Sequence, residues 1–111
     1  MPVRVFVMGL TQMLSEVVRA VVASRSTLVL VGESPVTDFE RAAASRADVV
    51  VAPLHRFTDG DLSAFQSTHC RVRVVRLADD ARNAVLHEMR PHQTPLSDLG
   101  TETLAAVLVG D

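Results

Sequence analysis

The side chains in this sequence that are able to do chemistry are few, and the first of them are carboxylates. Glu33 follows one apolar run, and Asp79 and Asp80 follow another. Carboxylate oxygens placed where strands end can hold a divalent cation or accept a transferred group. Acids in such loops also stabilise the N-terminus of the following helix, and this second interpretation is the one we favour.

Histidine and cysteine offer a second kind of chemistry, because both can ligate zinc or form a catalytic pair. These residues are His55, His69, Cys70, His87 and His92. Their spacings match no zinc motif and place them at different edges of the expected sheet, which favours packing or surface roles. A catalytic His69 and Cys70 pair is disfavoured because both precede a strand, on the edge opposite the usual crevice. The sequence also has no glycine-rich phosphate loop. Together with the absence of a zinc motif and of a credible catalytic pair, this leads us to expect no metal, no cofactor and no enzymatic activity.

All the basic residues are arginine, and one of them stands inside an apolar run. Arg76 lies in the stretch RVRVVRLA, where its permanent charge must meet a carboxylate, extend to solvent or bind an anion. A salt-bridged or solvent-reaching arginine is one interpretation, and a contact to an anionic ligand is the other.

Composition predicts one cytoplasmic globular domain over residues 1–111. The chain has 111 residues, 48% of them hydrophobic, which suffices for one core. Its net charge of -2 provides no electrostatic footprint for nucleic acid. The single Cys70 cannot form an internal disulfide, in agreement with a reducing compartment. Neither a signal peptide nor a membrane-spanning run is recognisable, so we expect no membrane partner.

Strand-like and helical segments alternate along the chain. The predicted strands are Val3–Met8, Ser26–Gly32, Val49–Ala52, Arg71–Ala78 and Pro91–Pro95. The predicted helices are Thr11–Ser24, Pro35–Ser45, Asp61–Thr68, Ala81–Met89 and Thr101–Val109. This alternation predicts an α/β fold of right-handed βαβ units, with a doubly wound, five-stranded parallel sheet in the order 2-1-3-4-5. The third strand ends in Pro53, although the carboxyl ends of such strands are where reactive side chains usually lie.

Four stretches of the chain, taken in order, resemble the receiver domain of bacterial response regulators. They are RVFVMGLTQMLSEVVRAVV at the first strand and helix, LVGES at the second strand, RADVVVAPLHRFTDG around the third and VVRLADD at the fourth. The similarity is greatest to receivers that precede a LuxR-type or NarL-type helix-turn-helix domain, and it covers the whole chain. It implies a flavodoxin-like, receiver-like form of the predicted fold.

The resemblance also implies phosphoryl transfer to an aspartate, but each position of that chemistry has changed. The acidic Mg²⁺-binding pair corresponds to Gly9 and Leu10, the phosphoryl acceptor to Pro53, the hydroxyl residue to Leu77 and the lysine to Thr94. Glycine and leucine offer Mg²⁺ no oxygen ligand, and proline has no nucleophilic atom. The chain contains no lysine that would stabilise a phosphoryl charge. A degenerate phosphorylation site would explain why the third strand ends in proline.

These changes predict an atypical receiver of two-component signalling that acts without phosphorylation, as a protein-interaction module. Its partner would be a second copy, forming a homodimer, or another regulator. The resemblance implies an interface on the fourth helix, the fifth strand and the fifth helix; the candidate residues are Leu86, Met89, His92 and Leu108. The output would be transcription, through a DNA-binding domain that these 111 residues do not contain.

The alternative function is that of a small-molecule sensor. In this hypothesis the vacated crevice near Gly9, Leu10, Pro53 and Leu77 holds an organic ligand. Arg76 would then orient an anionic group of that ligand.

Overall fold

The computed structural model describes residues 2–54, 59–69, 71–78, 83–87, 93–96 and 101–109. Its strands are β1 (Val3–Met8), β2 (Leu28–Ser34), β3 (Val49–Pro53), β4 (Arg73–Leu77), β5 (Ala84–His87) and β6 (Gln93–Leu96). Its helices are α1 (Gln12–Ala23), α2 (Phe39–Ala44), α3 (Asp59–Thr68) and α4 (Thr101–Val109).

The described strands form one mixed sheet in the order β2-β1-β3-β4-β5-β6. The four strands β2, β1, β3 and β4 run parallel to their neighbours. β5 is antiparallel to β4, and β6 is antiparallel to β5, so β6 again runs parallel to β4. The α/β class and the order 2-1-3-4 are as predicted, whereas the strictly parallel, five-stranded sheet is wrong.

The prediction of a helix over Ala81–Met89 is wrong because β5 occupies residues 84–87. Its short apolar run satisfies a helical or a strand period equally well, so local pattern does not decide between them. Residues 84–87 form a strand because the backbone N–H and C=O groups along the free edge of β4 need hydrogen-bond partners. Leu77 pairs with Ala84, and Val74 pairs with His87. The connection is closed by a hydrogen bond from the Ala78 N–H to the Asn83 carbonyl, 2.9 Å long.

Helices pack on both faces of the sheet, as the alternation of side chains along β1 requires. Val5 and Val7 contribute to a core beneath α1 and α4. Phe6 and Met8 contribute to a second core beneath α2 and α3. β3 is buried along its whole length because it serves both cores.

Helix α1 has one buried apolar stripe and a second apolar stripe in solvent. Thr11 caps its N-terminus by accepting a hydrogen bond from the Leu14 N–H at 3.2 Å. The buried stripe consists of Leu14, Val18, Val21 and Val22. Met13 is 60% exposed and Val17 36% exposed, although both are apolar. The helix therefore offers apolar side chains to a partner as well as to its own sheet.

Arginine from a strand stabilises the end of helix α2. The Arg4 guanidinium donates hydrogen bonds to the Ser45 carbonyl at 2.9 Å and to the Arg46 carbonyl at 3.2 Å. The last carbonyls of a helix have no intrahelical partner, so a cation there satisfies both charge and hydrogen bonding. Arg46 itself turns the chain out of the helix with a positive φ of 56°.

Candidate functional site at the carboxyl edge of the sheet

Three of the degenerate-site residues meet where strands β1, β3 and β4 end. Pro53 is the last residue of β3 and lies in register with Leu77, the last residue of β4. The Leu54 N–H donates to the Leu77 carbonyl at 2.8 Å. The pairing of β1 with β3 ends at Val51. Pro53 has no N–H to donate, and no hydrogen bond to β1 is required at its position. Both Pro53 and Leu77 are buried.

Gly9 lies directly against Pro53 and has a backbone that disfavours any side chain. Its φ is +69°, in the left-handed region that glycine adopts most easily. A Cβ at this position would stand 2.9 Å from the Thr37 Oγ1 atom and 3.3 Å from the Pro53 Cδ atom. An acidic residue at position 9 would therefore be strained and crowded.

Leu10 closes the edge next to Gly9 and is only 9% exposed. Gly9, Leu10, Pro53 and Leu77 present no side-chain oxygen or nitrogen, so this set does not fit Mg²⁺ or a phosphoryl group. Gly9, Thr37 and Pro53 lie close together at this edge, where the sequence predicted a vacated crevice.

Thr94 lies apart from these residues. Its Cα pairs with Leu86 in β5, which itself pairs with Val75 in β4. Thr94 is therefore separated from β4 by a whole strand and lies below the carboxyl end of that strand. The antiparallel β5, which the sequence did not predict, causes this separation.

Arg76 is buried, with 9% exposure, on the face of the sheet that carries α2 and α3. Its Nη2 donates a hydrogen bond to the Leu54 carbonyl. The sequence did not predict this contact, in which a backbone carbonyl at the end of β3 accepts the bond. Arg76 thereby helps to hold the chain where β3 ends.

A cavity that the sequence did not predict opens beside Leu10, between α1 and the end of β2. Its volume is about 340 Å³. One wall consists of Gln12, Ser15 and Arg19, and the other of Glu33 and Ser34. In the sequence, Gln12, Ser15 and Arg19 are polar residues at helical spacing. That pattern is typical of a solvent-exposed helix face and does not by itself indicate a cavity.

An ion pair crosses this cavity wall. The Arg19 Nε–H donates to Glu33 Oε1 at 2.8 Å, and the two side chains are 50% and 32% exposed. The hydrogen bond to Glu33, together with its charge, raises the pKa of Arg19 above its ordinary value. The Glu33 carboxylate is thus paired with α1, and the expectation of a solvated acid at a helix start does not describe it. Asp79 and Asp80 lie outside the described residues.

A second concave surface lies between α2 and α3 and is largely apolar. The Phe39 and Phe65 rings pack in a tilted arrangement with centroids 4.8 Å apart, and His69 stacks on Phe65 at the same centroid distance. The His69 Nδ1 atom lies 3.2 Å from the Phe65 carbonyl. His69 therefore has the packing role favoured by sequence.

The side chains of the other candidate metal ligands are not among those that the structure describes. His55, Cys70 and His92 lie outside the described residues, and of His87 only the strand backbone is described. Within the described part of the chain, no three His, Cys, Asp or Glu side chains are grouped so that they could hold a metal ion.

Of the four predicted interface residues, the structure describes Leu86 and Leu108. Leu108 is fully buried in the core beneath α1 and α4, so the monomer already uses it. Leu86 lies in β5 and packs partly buried against the same core. Met89 and His92 lie outside the described residues. Leu108 therefore has no exposed side-chain surface for a partner, whereas an interface at the other three residues stays a prediction.

Comparison of the chain with protein-family models, with curated proteins and with solved structures finds no match. Among the described residues, no helix has the length and apolar character needed to cross a membrane.

Proposed function

We propose that this chain is an atypical receiver-like module of signal transduction that acts without phosphorylation, by pairing with a second copy of itself. The observation that carries the proposal is the packing of Gly9, Pro53 and Leu77 at the ends of β1, β3 and β4. These are the positions that the receiver resemblance would assign to phosphoryl chemistry. Their side chains have no donor atom, and the strand order 2-1-3-4 around them is that of a receiver-like sheet.

The surface that supports pairing is the exposed apolar stripe of α1, which we call the α1 stripe and define as Met13, Val17 and Ala20. All three are exposed and have the spacing i, i+4, i+7 of a helix that packs against another helix. A second copy presents the same stripe, so two α1 helices can close across a two-fold axis. Regulation of transcription would follow through a DNA-binding domain brought together by such pairing.

Phosphoryl chemistry is expected to be absent. Incubation with Mg²⁺ and acetyl phosphate, or with beryllofluoride, should leave the intact mass and the amide spectrum unchanged, because no nucleophile or metal ligand is present. Pro53→Asp should remain unphosphorylated, since Gly9 cannot supply a carboxylate. A phosphorylatable receiver domain serves as the positive control for the donor. Stoichiometric gain of one phosphoryl group by the native chain would contradict the proposal.

Pairing through the α1 stripe is expected to produce dimers at micromolar concentration. The double variant Met13→Glu with Val17→Glu should raise the dimer dissociation constant at least about tenfold, equivalent to ~1.4 kcal/mol, because it places like charges in an apolar seam. It should stay folded, as both side chains are exposed in the monomer. Analytical ultracentrifugation measures the constant, and circular dichroism checks the fold.

Val36→Glu is the matched control, since Val36 is 62% exposed and lies outside α1. It should associate like the native chain. A native chain that stays monomeric up to millimolar concentration would overturn pairing, and equal weakening by Val36→Glu would overturn the α1 stripe as its site.

A further inference from the structure

A cavity lies where the sequence did not predict one, next to Leu10. The cavity between α1 and the end of β2 lies at the carboxyl edge of the sheet, where α/β proteins usually bind ligands. Its volume of about 340 Å³ is close to the lower limit of small-molecule sites, roughly 300 Å³. A compact molecule fits this space better than a nucleotide does.

The cavity carries one full charge of each sign. The Arg19 guanidinium uses Nε for Glu33, and no hydrogen bond joins its two Nη nitrogens to any described residue. Likewise, Glu33 Oε1 accepts from Arg19, whereas Oε2 has no described protein partner. Two guanidinium nitrogens and one carboxylate oxygen therefore remain for a ligand.

The two charges select the class of ligand. A ligand with only an anionic group would approach Arg19 but would also meet the Glu33 carboxylate, and a simple cation would meet Arg19. A molecule with both a carboxylate and an ammonium group complements both residues at once. The Ser15 hydroxyl and the Gln12 amide add neutral hydrogen-bonding groups to the same wall.

Apolar side chains complete the lining. Leu10 and Pro35 border the cavity next to its polar walls. Contact with these two residues favours a ligand that also has an apolar part.

We propose that this cavity binds a free α-amino acid with an apolar side chain, its carboxylate on Arg19 and its ammonium group on Glu33. Such a ligand would bridge α1 and β2. The proposal goes beyond phosphorylation-independent pairing and does not depend on it, because the cavity residues Gln12, Ser15 and Arg19 lie on the flank of α1 away from the α1 stripe.

Titration of the protein with leucine, valine and methionine, followed by amide NMR spectra, tests the proposal. The Met13→Glu with Val17→Glu variant, which is expected to pair more weakly, should be titrated in parallel to separate ligand binding from pairing. At least one of these amino acids should shift the amide signals of Gln12, Ser15, Arg19, Glu33 and Ser34. Absence of any shift at millimolar ligand in both proteins would overturn the site.

Variants and analogues then test the charges. Arg19→Gln and Glu33→Gln should each weaken binding at least about tenfold, whereas Arg25→Gln, at an exposed arginine outside the cavity, should not. The N-acetylated amino acid, which lacks the ammonium group, and the amino-acid amide, which lacks the carboxylate, should both bind at least about tenfold more weakly. Equal binding of either analogue, or of acetate alone, would overturn the zwitterion assignment.

Discussion

Leu108→Ala is expected to lower the free energy of unfolding by about 2–5 kcal/mol, the usual cost of truncating a buried leucine. The Leu108 side chain has no exposed surface and packs in the core that α1 and α4 share with the sheet. Its removal leaves a cavity that the close-packed core around it can close only in part. Urea unfolding followed by circular dichroism, at one fixed protein concentration, measures the change.

The matched control is Val36→Ala, which truncates a 62% exposed side chain outside the α1 stripe and should change stability by less than about 1 kcal/mol. Leu108→Arg should unfold the domain, since it puts an unpaired charge in the core. The prediction that Leu108 is an interface residue would be supported only if this variant were folded and monomeric. That result would contradict the packing described above.

Arg73→Ala is expected to lower the free energy of unfolding by about 2–4 kcal/mol, because two charge-assisted hydrogen bonds are lost together. The Arg73 guanidinium donates from Nη1 to the Val107 carbonyl at 2.9 Å and from Nη2 to the Leu108 carbonyl at 2.6 Å. Helix α4 has no basic residue in its own last turn, so β4 supplies the cation for the end of this helix. The contact fastens α4 to the sheet.

Arg73→Lys should recover only part of this loss, since lysine keeps the charge but lacks the fork that reaches two carbonyls. Arg71→Ala is the control: Arg71 is an exposed arginine two residues earlier, and its removal should cost less than about 0.5 kcal/mol. Chemical denaturation of the three variants measures the differences. Equal effects of Arg71→Ala and Arg73→Ala on the free energy of unfolding would show that loss of a positive charge, and not loss of the two guanidinium hydrogen bonds, causes the destabilisation.

These contacts also give a physical reason for arginine, not lysine, at three of the eleven basic positions. Arg4 and Arg73 each span two carbonyls at the end of a helix, and Arg76 reaches a carbonyl at the end of β3. A lysine ammonium at the end of a flexible stem does not present two donors in a fixed plane. The arginines of the sheet thus hold elements together.

The arrangement of the degenerate site could be predicted because it depends on topology alone. Strands that alternate with helices run parallel, so their carboxyl ends share one edge of the sheet. Gly9, Pro53 and Leu77 follow or end three such strands and do meet there. Thr94 does not join them, because the antiparallel β5 lies between its strand and β4.

The sequence did not predict the cavity or the α1 stripe, and the reason is the same for both. Arg19 and Glu33 form their hydrogen bond only when α1 packs next to β2, and no local sequence pattern predicts that contact. Helix α1 has two apolar stripes, and composition cannot say which of them faces the sheet. Packing buries Leu14 and Val18 and leaves Met13 and Val17 in solvent.

By itself, the sequence determined the α/β class, the parallel order of the first four strands and the lack of side-chain oxygen and nitrogen atoms at Gly9, Leu10, Pro53 and Leu77, because each depends on residue type or on alternation along the chain. Only the tertiary structure decided that residues 84–87 form a strand, that Leu108 belongs to the core and that a charged cavity opens beside Leu10. Each of these depends on contacts between residues distant in sequence, such as the free edge of β4 and the packing of α1 on β2. Short apolar runs and isolated charges are compatible with several local structures, and the partner that lies opposite them in the fold selects one.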